Sequence, residues 1–185
     1  MADVIFLDRF KRESVATKAL EYWNKRFPEK LGVDTRFSDL TDSTLAFLIQ
    51  SREESSWATY ELIMAMKNLG GKARFFFMED KEKIVIIELG MFLLDQFRFE
   101  CLKRLGWIES YPAEEYPILE LIDNYDVLSG KIRNTNPLLS KNHPQYEEFE
   151  RATKLDKEVI IRRLFPEALK VFCPENTGDG SSSGK

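Results

Sequence analysis

Along the first thirty positions, apolar residues recur at the three-and-four spacing of a helix. Val15, Ala16, Ala19, Leu20, Trp23 and Phe27 share one face, with Ser14 as the expected N-cap and Pro28 as the stop. A second helix is predicted over Asp42–Gln50, with Leu45, Leu48 and Ile49 turned inward. A third starts at Ser51, which has capping-box spacing to Glu54, and carries a row of Trp57, Tyr60 and Met64. The run Asn68-Leu69-Gly70-Gly71 ends it, glycine being able to take the left-handed conformation there. The period then changes. Ala73 to Met78 and Ile84 to Ile87 are two β-favouring runs around the charged stretch Glu79–Lys83, and they are read as a hairpin, with one long helix as the competing reading.

Beyond Gly90 the pattern predicts a helix over Met91–Leu105, stopped by Gly106. Ile118, Leu121, Ile122 and Tyr125 define another that ends near Gly130. The segment Lys131–Asn142 reads as polar loop. Pro144 suits the first turn of a helix running through Tyr146, Phe149, Ala152 and Ile160 to Phe165, and Pro166 opens a last short turn to Phe172. The fold class that follows is mainly α (α+β): one helical domain over residues 1–174 with a small antiparallel β-hairpin. Residues 175–185, rich in Gly and Ser, are expected to form a flexible tail.

Composition narrows the function. Of 185 residues, 43% are hydrophobic and 31% charged, enough apolar material for a core. The net charge of −4 gives no general nucleic-acid footprint, although both chain ends are faintly basic. The most apolar stretch, Ile84–Leu102, contains Glu88, Asp95, Gln96, Arg98 and Glu100, too many polar groups for a membrane span. Residues 1–14 lack the long apolar region of a secretory signal. Cys101 and Cys173 belong to no CxxC pair and are expected to be free thiols in a reducing, cytoplasmic setting.

Catalytic motifs are scarce. One His makes HExxH impossible, and GxGxxG does not occur. Asp179 stands where a Walker loop would need its first glycine, so Gly184-Lys185 does not complete that motif. Gly180-Ser181-Ser182-Ser183-Gly184 matches G-x-S-x-G in letters only, because a nucleophile elbow needs a strand before it and a helix after it. No cofactor is implied. The carboxylate runs Glu53/Glu54, Glu114/Glu115 and Glu147/Glu148/Glu150 read as solvated helix faces, as does the basic group Arg162, Arg163, Lys154 and Lys157.

The informative polar residues lie on the Met91–Leu105 helix. At about 100° per residue, Met91, Leu94, Phe97, Cys101, Leu102 and Leu105 form an apolar arc, and Asp95 and Arg98 fall inside it. An isolated buried charge is expensive, so the two are expected to contact one another or share a partner. Gln96, Glu100, Lys103 and Arg104 are expected on the other side. The candidate binding residues are therefore Asp95, Arg98 and Glu100, with His143 as a candidate base or pH-sensitive group that lacks a nearby orienting carboxylate.

The order helix, helix, helix, hairpin over residues 14–89 resembles a winged-helix domain. Leu45-Ala46, Ser51, the helix from Trp57 to Leu69, Gly70-Gly71 and a charged wing tip at Glu79–Lys83 carry the likeness. The resemblance implies a DNA-binding regulator. The third helix departs from it: Arg52, Glu53, Glu54, Glu61 and Lys67 leave that helix net acidic, which disfavours a nucleic-acid partner. The leading expectation is a non-enzymatic protein–protein interaction or regulatory module, binding a protein partner or itself through the aromatic-rich 75–105 region. A winged-helix-like DNA-binding regulator is one alternative. A small-molecule binder or enzyme with a polar cluster around Asp95 and Arg98 is the other.

Overall fold

A computed structural model describes residues 2–173, with side chains described from Ser14 onward. Helix α1 spans Ala2–Arg26. No Gly or Pro interrupts it, so the helix propagates through Ser14, which does not cap it, and it ends just before Pro28 as expected. Ala16, Ala19, Leu20, Trp23 and Phe27 are buried. Trp23 also donates its indole N–H to the Ala58 carbonyl at 3.0 Å, tying α1 to the third helix.

A short 3-10 turn at Phe37–Asp39 leads to α2, Asp42–Leu48, capped by the Thr41 hydroxyl, which accepts from the Thr44 N–H. Helix α3 spans Glu53–Met66. Its start differs from the capping box predicted at Ser51. The N-cap is Arg52, whose N–H donates to Ser55 Oγ, while Ser51 sits outside in the left-handed region at φ 50°. At the other end Asn68, rather than glycine, takes the left-handed position (φ 54°). The Leu69 N–H reaches the Met64 carbonyl and the Asn68 N–H that of Ala65, a Schellman closure.

The predicted hairpin over residues 73–89, and with it the wing of the winged-helix resemblance, is not formed. Lys72–Phe75 is a single helical turn, α4, and Asp80–Arg104 is one helix of 25 residues, α5. The charged run read as a wing tip is a helix start: the Glu79 N–H donates to the Glu82 carboxylate, and acidic groups at this end suit the helix dipole. Ile86, Leu89 and Leu93 then bury on one helical face, so tertiary packing overrides the β preference of Ile84–Ile87. Gly90 does not break the helix either. It is the point where α5 lies against the Tyr60 ring on α3.

The antiparallel sheet lies elsewhere. Strand β1, Ile108–Ser110, pairs with β2, Leu138–Leu139, with Ile108 opposite Leu139. It joins segments about thirty positions apart, one of them inside the predicted polar loop, so it is not a hairpin. Between the strands, the single predicted helix at 118 is split at Asn124 into α6 (Ile118–Asp123) and α7 (Tyr125–Arg133). The last predicted helix is also split, into α8 (Tyr146–Arg151) and α9 (Lys154–Phe172). Thr153 caps α9, its Oγ1 accepting from the Asp156 N–H, while Pro166 sits inside this helix rather than opening a new one.

One cluster of buried side chains runs from Ala16 to Ala168, and the second half of α5 passes through it, with Leu93, Phe97 and Leu102 fully enclosed. The predicted tail at 175–185 lies outside the described residues. Among the described residues, no helix is long and apolar enough to cross a membrane.

A Cβ added at Gly90 would overlap the Tyr60 ring. Gly90→Ala is therefore expected to destabilise by about 1 kcal/mol, the overpacking cost exceeding the gain in helix propensity. In a double-mutant cycle with Tyr60→Ala, followed by urea melts, the two sites should couple by about 1 kcal/mol. Additive effects would contradict the contact.

Candidate functional site

The four candidate residues separate into three places. Asp95 and Arg98 both lie on α5, but they do not bond to one another. Asp95 is clamped from α9: Arg162 donates to Asp95 Oδ1 at 3.1 Å and to Oδ2 at 2.9 Å, while its Nε donates to Glu158 at 2.9 Å. Arg162, read from sequence as part of a solvated basic group, is thus the fork that joins α9 to α5. Arg98 instead donates to Ser51 Oγ at 2.6 Å and lies 5.3 Å from the Phe165 ring centre. The left-handed Ser51 that fails to cap α3 is positioned as the acceptor for this guanidinium. Burial lowers the Arg98 pKa from its ordinary value, nearby Arg162 adds to that, and Asp95 one turn away opposes it.

Glu100 was expected to face outward and is buried, only 4% exposed. So is Gln96. The arc argument assumed one wet side, whereas α5 is covered on most of its circumference over this stretch. The Glu100 carboxylate accepts from Arg104 Nε and from the Tyr111 hydroxyl, both at 2.9 Å. Arg104 in turn donates to Asp42 at 2.6 Å and to the carbonyls of Phe37 and Ser38. Burial, and then the Glu100 charge, push the Tyr111 phenol far above its usual range, so it stays a donor at any working pH. Both Glu100 carboxylate oxygens are thus taken by contacts within the protein, and the knot reaches the surface at Asp42.

His143 sits in a separate cleft of about 510 Å³ with Trp107, Gly106 and Glu167, its ring 6.0 Å from that of Trp107. Its Nδ1 accepts from the Gln145 N–H at 3.2 Å. The two cysteines are free thiols. Burial, reinforced by Cys173, pushes the Cys101 thiol up to about 12, so it is unreactive as a nucleophile.

Asp95 and Arg98 share a groove of about 530 Å³ between α5, the segment 132–137 and α9. Sequence reasoning missed three other members of its lining: Gln96, Arg133 and Arg162. The Glu158–Arg162 spacing of four on one helix is the only local signal for any of them. Pairing across 67 positions leaves no local signal. Among the described residues, no three His, Cys, Asp or Glu side chains converge as metal ligands would. Compared with protein-family models, curated proteins and solved structures, the chain matches none. The class that can be stated is a mainly helical protein with a groove beside the second half of α5.

Two outcomes test this geometry. Glu100→Ala leaves the Tyr111 hydroxyl and part of Arg104 unpaired and should cost about 3 kcal/mol in urea melts, whereas Glu100→Gln, which keeps the shape and one acceptor oxygen for the two donors, should cost about 2 kcal/mol. Equal, small losses would place Glu100 at the surface. Burial lowers the His143 pKa below its ordinary value, with Glu167 opposing. The folded state therefore favours the neutral ring. The stability this contributes is full above the unfolded value of about 6.5 and is lost as pH falls through that value toward the folded one. The imidazole NMR titration should have a midpoint below that of the unfolded chain; a midpoint at or above it would contradict the partly buried placement.

Proposed function

We propose that this chain is a non-enzymatic interaction module that pairs with a second copy of itself through the first half of α5. The observation that carries this reading is an exposed apolar surface on a regular helix. Ile84 is 53% exposed and Val85 51%, and Ile87 and Met91 continue the exposure along the same helix. Phe76 and Phe77, just before the helix starts, are exposed too. Scattered exposed apolar residues are ordinary, but a run of helical neighbours is the usual mark of an interface.

The occupant is suggested by charge. Lys81, Ile84, Val85 and Glu88 are all exposed and fall on one flank of α5 at helical spacing. An antiparallel pair of α5 helices related by a twofold axis between positions 84 and 85 puts Ile84 against Val85 of the copy. The same axis puts Lys81 against Glu88, twice over. Opposite charges flanking an apolar seam select register and orientation, as they do in coiled coils. The dispersal of Asp95/Arg98, Glu100 and His143 over three places supports a binding role rather than a reaction centre, and the helical state of residues 80–89 removes the wing that a DNA-binding reading would use.

Light-scattering mass across a concentration series, after gel filtration, is the test. The wild type should form a dimer. Lys81→Glu and Glu88→Lys should each weaken it roughly tenfold, and the double reversal should restore it. A monomer at all concentrations, or a dimer indifferent to both reversals, would overturn the reading.

A further inference from the structure

The groove beside α5 carries hydrogen-bonding capacity that the protein itself does not use. Gln96 is 3% exposed; its Nε2 donates to the Phe92 carbonyl at 3.2 Å, yet its Oε1 is buried and has no partner. The Nε of Arg98, on the same groove, is buried and unpartnered as well. Interiors rarely leave such groups unmade, and each one is a reason to look for a partner from outside. The two residues that carry this unused acceptor and this unused charged donor line a single groove.

The charges sort in the same way. Arg162 is neutralised by Asp95 and Glu158. Among the described residues, neither Arg98 nor Arg133 has a carboxylate within ion-pairing distance, although the protein as a whole is acidic. Arg133 is held in place by its bond to the Tyr125 hydroxyl at 2.8 Å and lies 5.7 Å from the ring centres of Phe92 and Tyr125. Held guanidinium groups suit a carboxylate. Between them the walls are apolar, with Leu94, Phe99, Ile132 and Pro137. The volume of about 530 Å³ is in the range of small-ligand sites.

We infer that this groove binds an organic carboxylate carrying an N–H donor and an apolar side group, with Arg98 and Arg133 taking the carboxylate and Gln96 Oε1 the N–H. An N-acylated apolar amino acid has all three features. The groove residues are distinct from Lys81, Ile84, Val85 and Glu88, and Met91 alone borders both surfaces, so binding and self-pairing can be tested apart.

The probe is N-acetyl-L-phenylalanine, titrated to about 10 mM into ¹⁵N-labelled protein and followed by amide shifts, a range suited to a ligand of this size. Two controls remove one feature each: N-acetyl-L-phenylalaninamide lacks the anion, and 3-phenylpropionate lacks the N–H. The acid should shift amides of α5 and of residues 132–137, with the amide control binding about tenfold more weakly. Gln96→Leu should abolish the preference of the acid over phenylpropionate. Arg98→Met and the surface substitution Arg133→Gln should each weaken the acid several-fold, the latter keeping the test alive if Arg98→Met fails to fold. In an Ile84→Glu variant, made to disrupt pairing, the groove shifts should persist. No shifts in these segments, equal binding of all three probes, or affinities unchanged by the Gln96 and Arg133 substitutions would overturn the inference.

Discussion

A helix that runs through the middle of a protein with ions on its buried surface is tolerable only if those ions are answered by opposite charges or hydrogen-bond donors. Helix α5 meets that condition at Glu100. Two groups share its carboxylate, the Arg104 guanidinium one turn on and the Tyr111 hydroxyl beyond β1, and Arg104 extends the contact to Asp42 and to the carbonyls of the 3-10 turn. The knot therefore fixes α5 against α2 and against the chain that leaves it. With the rod held there, α1 and α3 pack through Trp23 and Phe97, and α9 closes the other side through Arg162 and Asp95. Breaking one partner of such a set exposes the others to an uncompensated interior, which is why its members are more constraining than their count suggests.

The same helix is divided along its length. From about Phe92 onward it is core. Before Gly90 it is covered on one face only, and Ile84, Val85 and Ile87 stand in solvent, with Met91 just beyond. That division locates the two functional ideas. Self-pairing uses the uncovered half, and the groove lies beside the covered half, where Arg98 and Gln96 meet the turn after α7 and the flank of α9. A ligand in the groove and a copy on the ridge would both act on one rigid element, with Gly90 packed on Tyr60 between them.

Much of the fold was legible in the sequence because helical periodicity is local. The inward faces of α1, α2 and α6 follow from the three-and-four spacing, and Pro28 marks a true boundary. Three kinds of feature were not legible. The run Ile84–Ile87 has the composition of a strand, and only burial of Ile86 and Leu89 against the core makes it helix. Thr153 and Asp156 carry a helix-start signal, but Ala152 and Ile160 continue the apolar period across it and hide the break between α8 and α9. The sheet depends on two segments meeting from a distance, which no window of sequence contains.

At the site, the sequence singled out Asp95 and Arg98 because charges on an apolar arc need an explanation. Their partners, Arg162 and Ser51, lie 67 and 47 positions away and could not be read from local spacing. Glu100 and Gln96 were placed on a wet face that does not exist, because the arc argument cannot tell a helix at the surface from one enclosed by neighbours. The central claim is that α5 is one helix with an enclosed half and an available half. Hydrogen exchange along α5 at increasing protein concentration tests it most directly. Amides of residues 93–102 should be among the slowest in the molecule at every concentration, while those of 82–88 exchange faster and gain protection as concentration rises. Uniform protection along the helix, unchanged by concentration, would contradict the account.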